Sequence, residues 1–291
     1  MMSSRKALRA LLARPGYHMA PGAYDPLTAR LVEAAGFSVV YVTGGGFSRA
    51  NGFPDMGLLT LTEVTAGLAR IIDSVRIPVI ADMDSGYGNA INVVRAVREF
   101  ERAGVSAFHL EDQVSPKKCG HYEGKALVSA AEMIGKIKAA VDTRTDADMA
   151  IIARSDARAV EGLDAAIERV NRYLEAGADL GFVEAPQSAE ELAKIPPALN
   201  GPAVANIFEG GKTPLVPAQE LERMGFKLGW YPSQTQRAAI KAAQRVLKLL
   251  KDTGGAAEVE RDLASFNERE AVVGTPEWRE KEDRYVRSVE P

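Results

Sequence analysis

The chain has 291 residues, with 36 basic against 39 acidic side chains, a net charge of −3 and a single cysteine. Such a balance offers no basic stripe to a nucleic acid, and one thiol excludes intrachain disulfides and suits a reducing cytoplasm. No run of about 18 apolar residues is present to span a membrane, and one large core is expected to organise residues 1–291 as a single domain.

The first 16 residues, MMSSRKALRALLARPG, are Arg-rich and free of acids, as in a transit peptide. Leu8, Leu11 and Leu12 nevertheless share one helical face, and Pro15-Gly16 stops the segment before a strand-like run, so a helix across the bottom of the fold is expected. Eight apolar runs follow, beginning near Tyr17, Ser38, Ile77, Val105, Met149, Asp179, Pro202 and Phe226. Runs such as IPVIAD and MAIIAR are almost continuously apolar, as parallel strands buried on both faces must be. Four intervening helical patterns end alike, in EAAGF, ERAGV, EAGAD and ERMGF, with glycine placed for the left-handed turn past a helix. Thr60 with Glu63, and Ser129 with Glu132, have the spacing of capping boxes. Eight such alternations predict an α/β fold, a (β/α)8 TIM barrel. A doubly wound sheet is the competitor, but no Gly-x-Gly-x-x-Gly follows the first strand. Beyond the last barrel helix, near Gln234 to Lys251, the charged tail 253–291 with Trp278 is predicted to form helices that pack on a partner subunit.

In a barrel of this kind, chemistry gathers at the C-terminal ends of the strands. Those ends carry Thr43-Gly44-Gly45, Asp82 and Asp84, Glu111 and Asp112, Arg154, Glu184 and Asn206. Each acid alone is equally well a cap or surface charge. Clustered, Asp82, Asp84 and Glu111 repel one another unless a hard divalent cation stands between them; Mg²⁺ fits, with few direct carboxylates and several waters. Zinc does not, because the three histidines are not spaced with the one cysteine as ligands. Arg154 has the fork to bind a substrate carboxylate, or else to pair with a neighbouring acid. Cys119 lies in SPKKCGHYEGK, a polar, glycine-flanked loop unlike the apolar surroundings of a structural thiol. Lys117, Lys118 and His121 are expected to lower its pKa, and Gly120 and Gly124 to let the loop close as a lid. Metal, carboxylate clamp and thiol together suggest chemistry on a 2-hydroxy or 2-oxo acid, in which a carbanion forms and is then protonated.

KKCGH, ADMDSGYGN, EDQ and ANIFEGGKTP resemble motifs of the isocitrate lyase and phosphoenolpyruvate mutase superfamily, over roughly Tyr17 to Lys251. The resemblance implies a Mg²⁺ site (Mn²⁺ as substitute) with Asp82 as direct ligand, Asp84 and Glu111 in its water shell, and Asp55 near the metal. It also implies that Thr43, Gly44, Gly45 and Arg154 bind the shared carboxylate, that Glu184 and Asn206 bound the pocket, and that Tyr41 lies near the reacting centre. A last barrel helix exchanged between subunits, and a homotetramer built of dimers, are implied as well. Cys119 favours the carbon–carbon lyases, with the thiol as general acid and Tyr41, His121 or a metal-bound hydroxide as the base. Tyr122 stands where methylisocitrate lyases tend to have Arg, and Ile207-Phe208-Glu209 where they tend to have Thr-Glu-Phe, so a smaller dicarboxylate such as 2,3-dimethylmalate fits better. A phosphonate mutase, an oxaloacetate decarboxylase and a non-catalytic binding barrel are the alternatives.

Overall fold

Eight strands alternate with helices through residues 3–286, the residues described by this computed structural model. The strands are β1 (His18–Ala23), β2 (Val40–Val42), β3 (Val79–Asp82), β4 (Ala107–Glu111), β5 (Ala150–Ser155), β6 (Leu180–Val183), β7 (Ala203–Asn206) and β8 (Phe226–Tyr231). All neighbours pair in parallel, and β8 returns to β1 to close a (β/α)8 barrel. The helices are α1 (Ser4–Ala13), α2 (Pro26–Ala34), α3 (Gly44–Ala50), α4 (Leu61–Ser74), α5 (Ala90–Ala103), α6 (Ala130–Thr143), α7 (Leu163–Glu175), α8 (Ala189–Ala198) and α9 (Ala218–Met224). Then come α10 (Gln234–Thr253), α11 (Phe266–Val273) and α12 (Thr275–Tyr285). The described residues divide into two compact units, with the boundary between Gln234 and Thr235.

Local signals explain the boundaries. Gly36, Gly104, Gly177 and Gly225, the four glycines of the repeated helix endings, all have φ between +86° and +109°, where a side chain is strained. Thr60 and Glu63 form the complete capping box at the head of α4. At α6 only half of the expected box is made. Ser129 accepts from the Glu132 N–H, while the Glu132 carboxylate turns to Lys136, 3.8 Å away.

Side chains alternate between the two faces of a strand, and this period stacks the barrel interior in layers. Ile80, Ala107, Ala150, Leu180 and Leu228 fill the lower part, closed from below by Leu8 and Leu11 of α1. The arginines of α1 fasten it there: Arg5 bonds Val105 O and Asp146, and Arg9 bonds Asp148 O and Asp179. The next layer is aromatic, with Tyr41, His109, Phe182 and Trp230; the Tyr41 and Trp230 rings stack at 4.6 Å. Two residues further along the strands stand Thr43, Glu111, Arg154 and Glu184. Outside the barrel, α4, α5 and α6 bury Leu68, Ile71, Val93, Phe100, Met133 and Ile137 against the sheet.

Candidate active site

The polar layer rings a cleft above the aromatic floor. Thr43 caps α3 by accepting from the Gly46 N–H, so the glycine turn after β2 is held beside Asp82, whose carboxylate accepts from the Gly44 N–H at 3.3 Å. Asp82 also accepts from the Asp84 N–H at 2.9 Å. Asp84 has φ +48°, a left-handed conformation that Asp tolerates better than most residues, and it pairs with Lys117 at 2.9 Å. Lys117 simultaneously pairs with Asp55. Burial pushes the Asp55 carboxyl up, but Lys117 outweighs burial and holds it below its ordinary range. The expected metal-side acid is therefore tied to an ammonium.

Arg154 takes the second of the two roles expected of it, pairing with neighbouring acids. Its Nε and Nη2 fork Asp156 at 2.9 and 3.1 Å, its Nη1 lies 3.2 Å from Glu111, and Nη2 lies 3.4 Å from Glu184. Every nitrogen of the guanidinium thus lies within ion-pair distance of an acid, Nη1 of Glu111 included, so a substrate carboxylate has to share Arg154 with these acids. Asp156 is held in turn by Lys125 at 2.8 Å, and its N–H bonds Asp112, which also accepts from Ser155 and Tyr173. Glu184 accepts from the Asn206 amide at 3.3 Å, which ties the β6 and β7 exits together.

Glu111 is fully buried, and among the described residues neither of its oxygens has a hydrogen-bond partner. Burial raises its pKa, with Arg154 opposing and Asp156 and Asp82 adding to the rise. Burial likewise pushes Asp84 up, helped by Asp82 despite Lys117. Asp55, Asp82 and Asp84 confront the one ammonium of Lys117, and Glu111 shares Arg154 with Asp156 and Glu184; the surplus of buried negative charge fits a hard divalent cation. Among the described residues no three His, Cys, Asp or Glu side chains form a ready metal cage. The set suits an ion that takes one or two carboxylates and completes its shell with water.

The loop from Ser115 to Lys125 closes one side of the cleft. The Gln113 side chain pins its start, donating to Lys118 O and accepting from the Lys118 N–H, both at 2.9 Å. Lys125 donates to Gly120 O and so ties the loop's far end back to Asp156. A Cβ on Gly120 would lie 2.6 Å from Arg154 Nη2 and from Glu184 Cγ, so only glycine lets the lid sit this low. Cys119 lines the cleft, but its thiol is raised rather than lowered, to about 11, first by burial and then by Asp55. The neighbouring cations do not counter this: Lys117 answers Asp55 and Asp84, and Lys118 bonds Gly124 O. His121 is held neutral by burial, and its Nδ1 accepts from the Lys212 N–H at 3.1 Å. Its basic lone pair is occupied, which argues against His121 as the base. Tyr41 is no better placed. Burial pushes its phenol well up, and the oxygen lies 2.9 Å from Nε2 of His109, itself kept neutral at a pKa of about 3 by burial.

Several participants escaped sequence reasoning. Asp156 sits two positions after Arg154, just past the end of β5, and that proximity to the strand exit was the available signal. Gln113 lies within the quoted EDQ. Arg49 lines the cleft from α3 and carried no pattern that singled it out.

A closed parallel barrel whose rim sets buried acids, a guanidinium and a thiol around a small cleft is the architecture of an enzyme of the phosphoenolpyruvate mutase/isocitrate lyase superfamily. The family model described as phosphoenolpyruvate phosphomutase matches residues 8–251, and the chain belongs to that family. It is 45% identical over 286 residues to a 2,3-dimethylmalate lyase of Eubacterium barkeri, covering 98% of this chain and 99% of the relative. Identity to a 2-methylisocitrate lyase of Aeropyrum pernix is 41% over 283 residues, covering 97% and 91%. A crystal structure of 2,3-dimethylmalate lyase superposes with a TM-score of 0.92 at 34% identity, covering 98% of this chain and 96% of that one. Phosphonopyruvate hydrolase in complex with oxalate and Mg²⁺ gives 0.87 at 32% identity, covering 98% and 100%.

Proposed function

We propose that the protein cleaves the C2–C3 bond of a 2-hydroxydicarboxylate of the 2,3-dimethylmalate or 2-methylisocitrate type, releasing pyruvate or a related oxo acid and a carboxylate. The observation that carries this reading is a thiol kept protonated by burial, on a lid over a cleft rich in acids and cations. Transfer of the 2-hydroxyl proton to a carboxylate of the rim lets the C2–C3 bond break, and its electron pair passes to the leaving carboxylate fragment as an enolate-like dianion. Cys119 donates its proton to that carbon, and a thiol raised to about 11 holds the proton until it is needed. Arg154 and the turn Thr43-Gly44-Gly45 hold the carboxylate next to the reacting carbon. Glu184 and Asn206 bound the pocket, and Tyr41 forms its floor. Asp82, with Asp84 and Glu111 through water, would hold Mg²⁺, which when bound neutralises charge on the 2-oxygen.

Purified protein is expected to release pyruvate from 2,3-dimethylmalate or 2-methylisocitrate with Mg²⁺ or Mn²⁺, to lose that activity in EDTA, and to be slowed by orders of magnitude in Cys119→Ser. Full turnover by the Ser variant would remove the thiol from the mechanism. The family description favours one other reading, a phosphonate mutase. Phosphorus NMR showing phosphoenolpyruvate formed from phosphonopyruvate would replace the lyase reading with that one.

A further inference from the structure

Three cations line the cleft, Arg49, Lys117 and Arg154, and their partners differ. Lys117 lies between Asp55 and Asp84, while Arg154 contacts Asp156, Glu111 and Glu184. The Arg49 side chain makes no hydrogen bond and no ion pair among the described residues, and its charge helps hold the Asp55 carboxyl low. Arg49 is an exposed residue at the cleft mouth, and its guanidinium turns back toward the site. A Cβ on Gly45 would stand 2.7 Å from Asp55 Oδ2 and 3.1 Å from Arg49 Nη1, so the head group lies over the glycine turn at the cleft. The lid side holds no equivalent cation. Tyr122 is exposed and does not line the cleft, and Phe208, tilted against His121 with ring centroids 4.9 Å apart, presents an apolar surface there together with Pro232.

We propose that Arg49 binds the substrate carboxylate remote from the reacting hydroxyl, and so makes this site selective for 2-hydroxydicarboxylates over 2-hydroxymonocarboxylates. An uncommitted guanidinium facing a cleft is suited to a bidentate carboxylate, which a lysine matches only as a point charge. The apolar side formed by Phe208 and Pro232 takes the alkyl branch that a second cation there would exclude. This assignment rests on the dicarboxylate reading of the preceding subsection, but it is testable without turnover.

The test is calorimetric binding of malate and of lactate to the Mg²⁺-loaded wild type, Arg49→Ala and Arg49→Lys. Wild type is expected to prefer malate. Arg49→Ala is expected to weaken malate about tenfold to a hundredfold and leave lactate unchanged, with Arg49→Lys recovering part of the loss. In turnover of 2,3-dimethylmalate, Arg49→Ala should raise KM and leave kcat nearly unaltered. Equal weakening of both acids would mean that Arg49 merely supports the cleft and would overturn the assignment, as would no change in either. A wild type without preference for malate overturns it too. Loss of malate selectivity in the variant of a protein that cleaves no dicarboxylate would retain Arg49 and discard the lyase.

Discussion

Cys119 illustrates how surroundings rather than neighbours in sequence set the chemistry of a side chain. Two lysines and a histidine flank it, which suggests an acidic thiol. In the folded protein those lysines answer carboxylates and a carbonyl, and burial with Asp55 raises the thiol to about 11. A nucleophilic thiolate requires the opposite shift; a proton donor is well served by this one. The consequence has a definite sign. A donor works only while protonated, so kcat/KM should stay level on this group through neutral pH and fall on a basic limb near pH 11. Cys119→Ser should abolish that limb. A limb of the wild type between pH 7 and 8 that vanishes in the Ser variant would show that the thiol is acidic after all.

At the scale of elements, the lid matters because its position is dictated by backbone contacts. Gln113 grips Lys118 at its start, and Lys125 reaches Gly120 O from its end. Between them Gly120 packs so closely on Arg154 and Glu184 that a methyl group would collide with both. Gly120→Ala is expected to lift the lid and lower kcat by about a hundredfold, the cost of displacing a donor by roughly an ångström. The melting temperature should move by no more than about 3 °C, since the barrel core lies elsewhere. Unchanged turnover would show that the lid functions in a higher position. The capping serine of α6 teaches a complementary lesson: Ser129-x-x-Glu132 had the spacing of a box, yet Glu132 turned to Lys136. Spacing permits a reciprocal bond, and a competing charge one turn away can take the carboxylate from it.

For the whole molecule, α10 to α12 carry Ile240, Leu247, Phe266, Trp278 and Tyr285, all exposed. Apolar side chains in that number on charged helices mark a surface for association. We expect them to be covered by exchange of these helices with a second copy, in a dimer that pairs into a tetramer. Sedimentation of the wild type should show the tetramer, and Leu247→Glu should shift it to smaller species; a wild-type monomer would end this expectation. No helix among the described residues is long and apolar enough to cross a membrane.

The amino-acid sequence by itself determined the alternation of eight strands with helices, the glycines that end four of those helices, and the strand exits where chemistry collects. These are local matters of period, capping and φ, and each is written within a few consecutive residues. Only the tertiary structure decided that Arg154 is forked by Asp156, that Lys117 occupies the space between Asp55 and Asp84, that the Cys119 thiol is raised, and that Arg49 faces the cleft without an ion pair. Ion pairing and desolvation depend on which distant groups share a dry interior and how closely they approach, and chain closure is what brings those groups together.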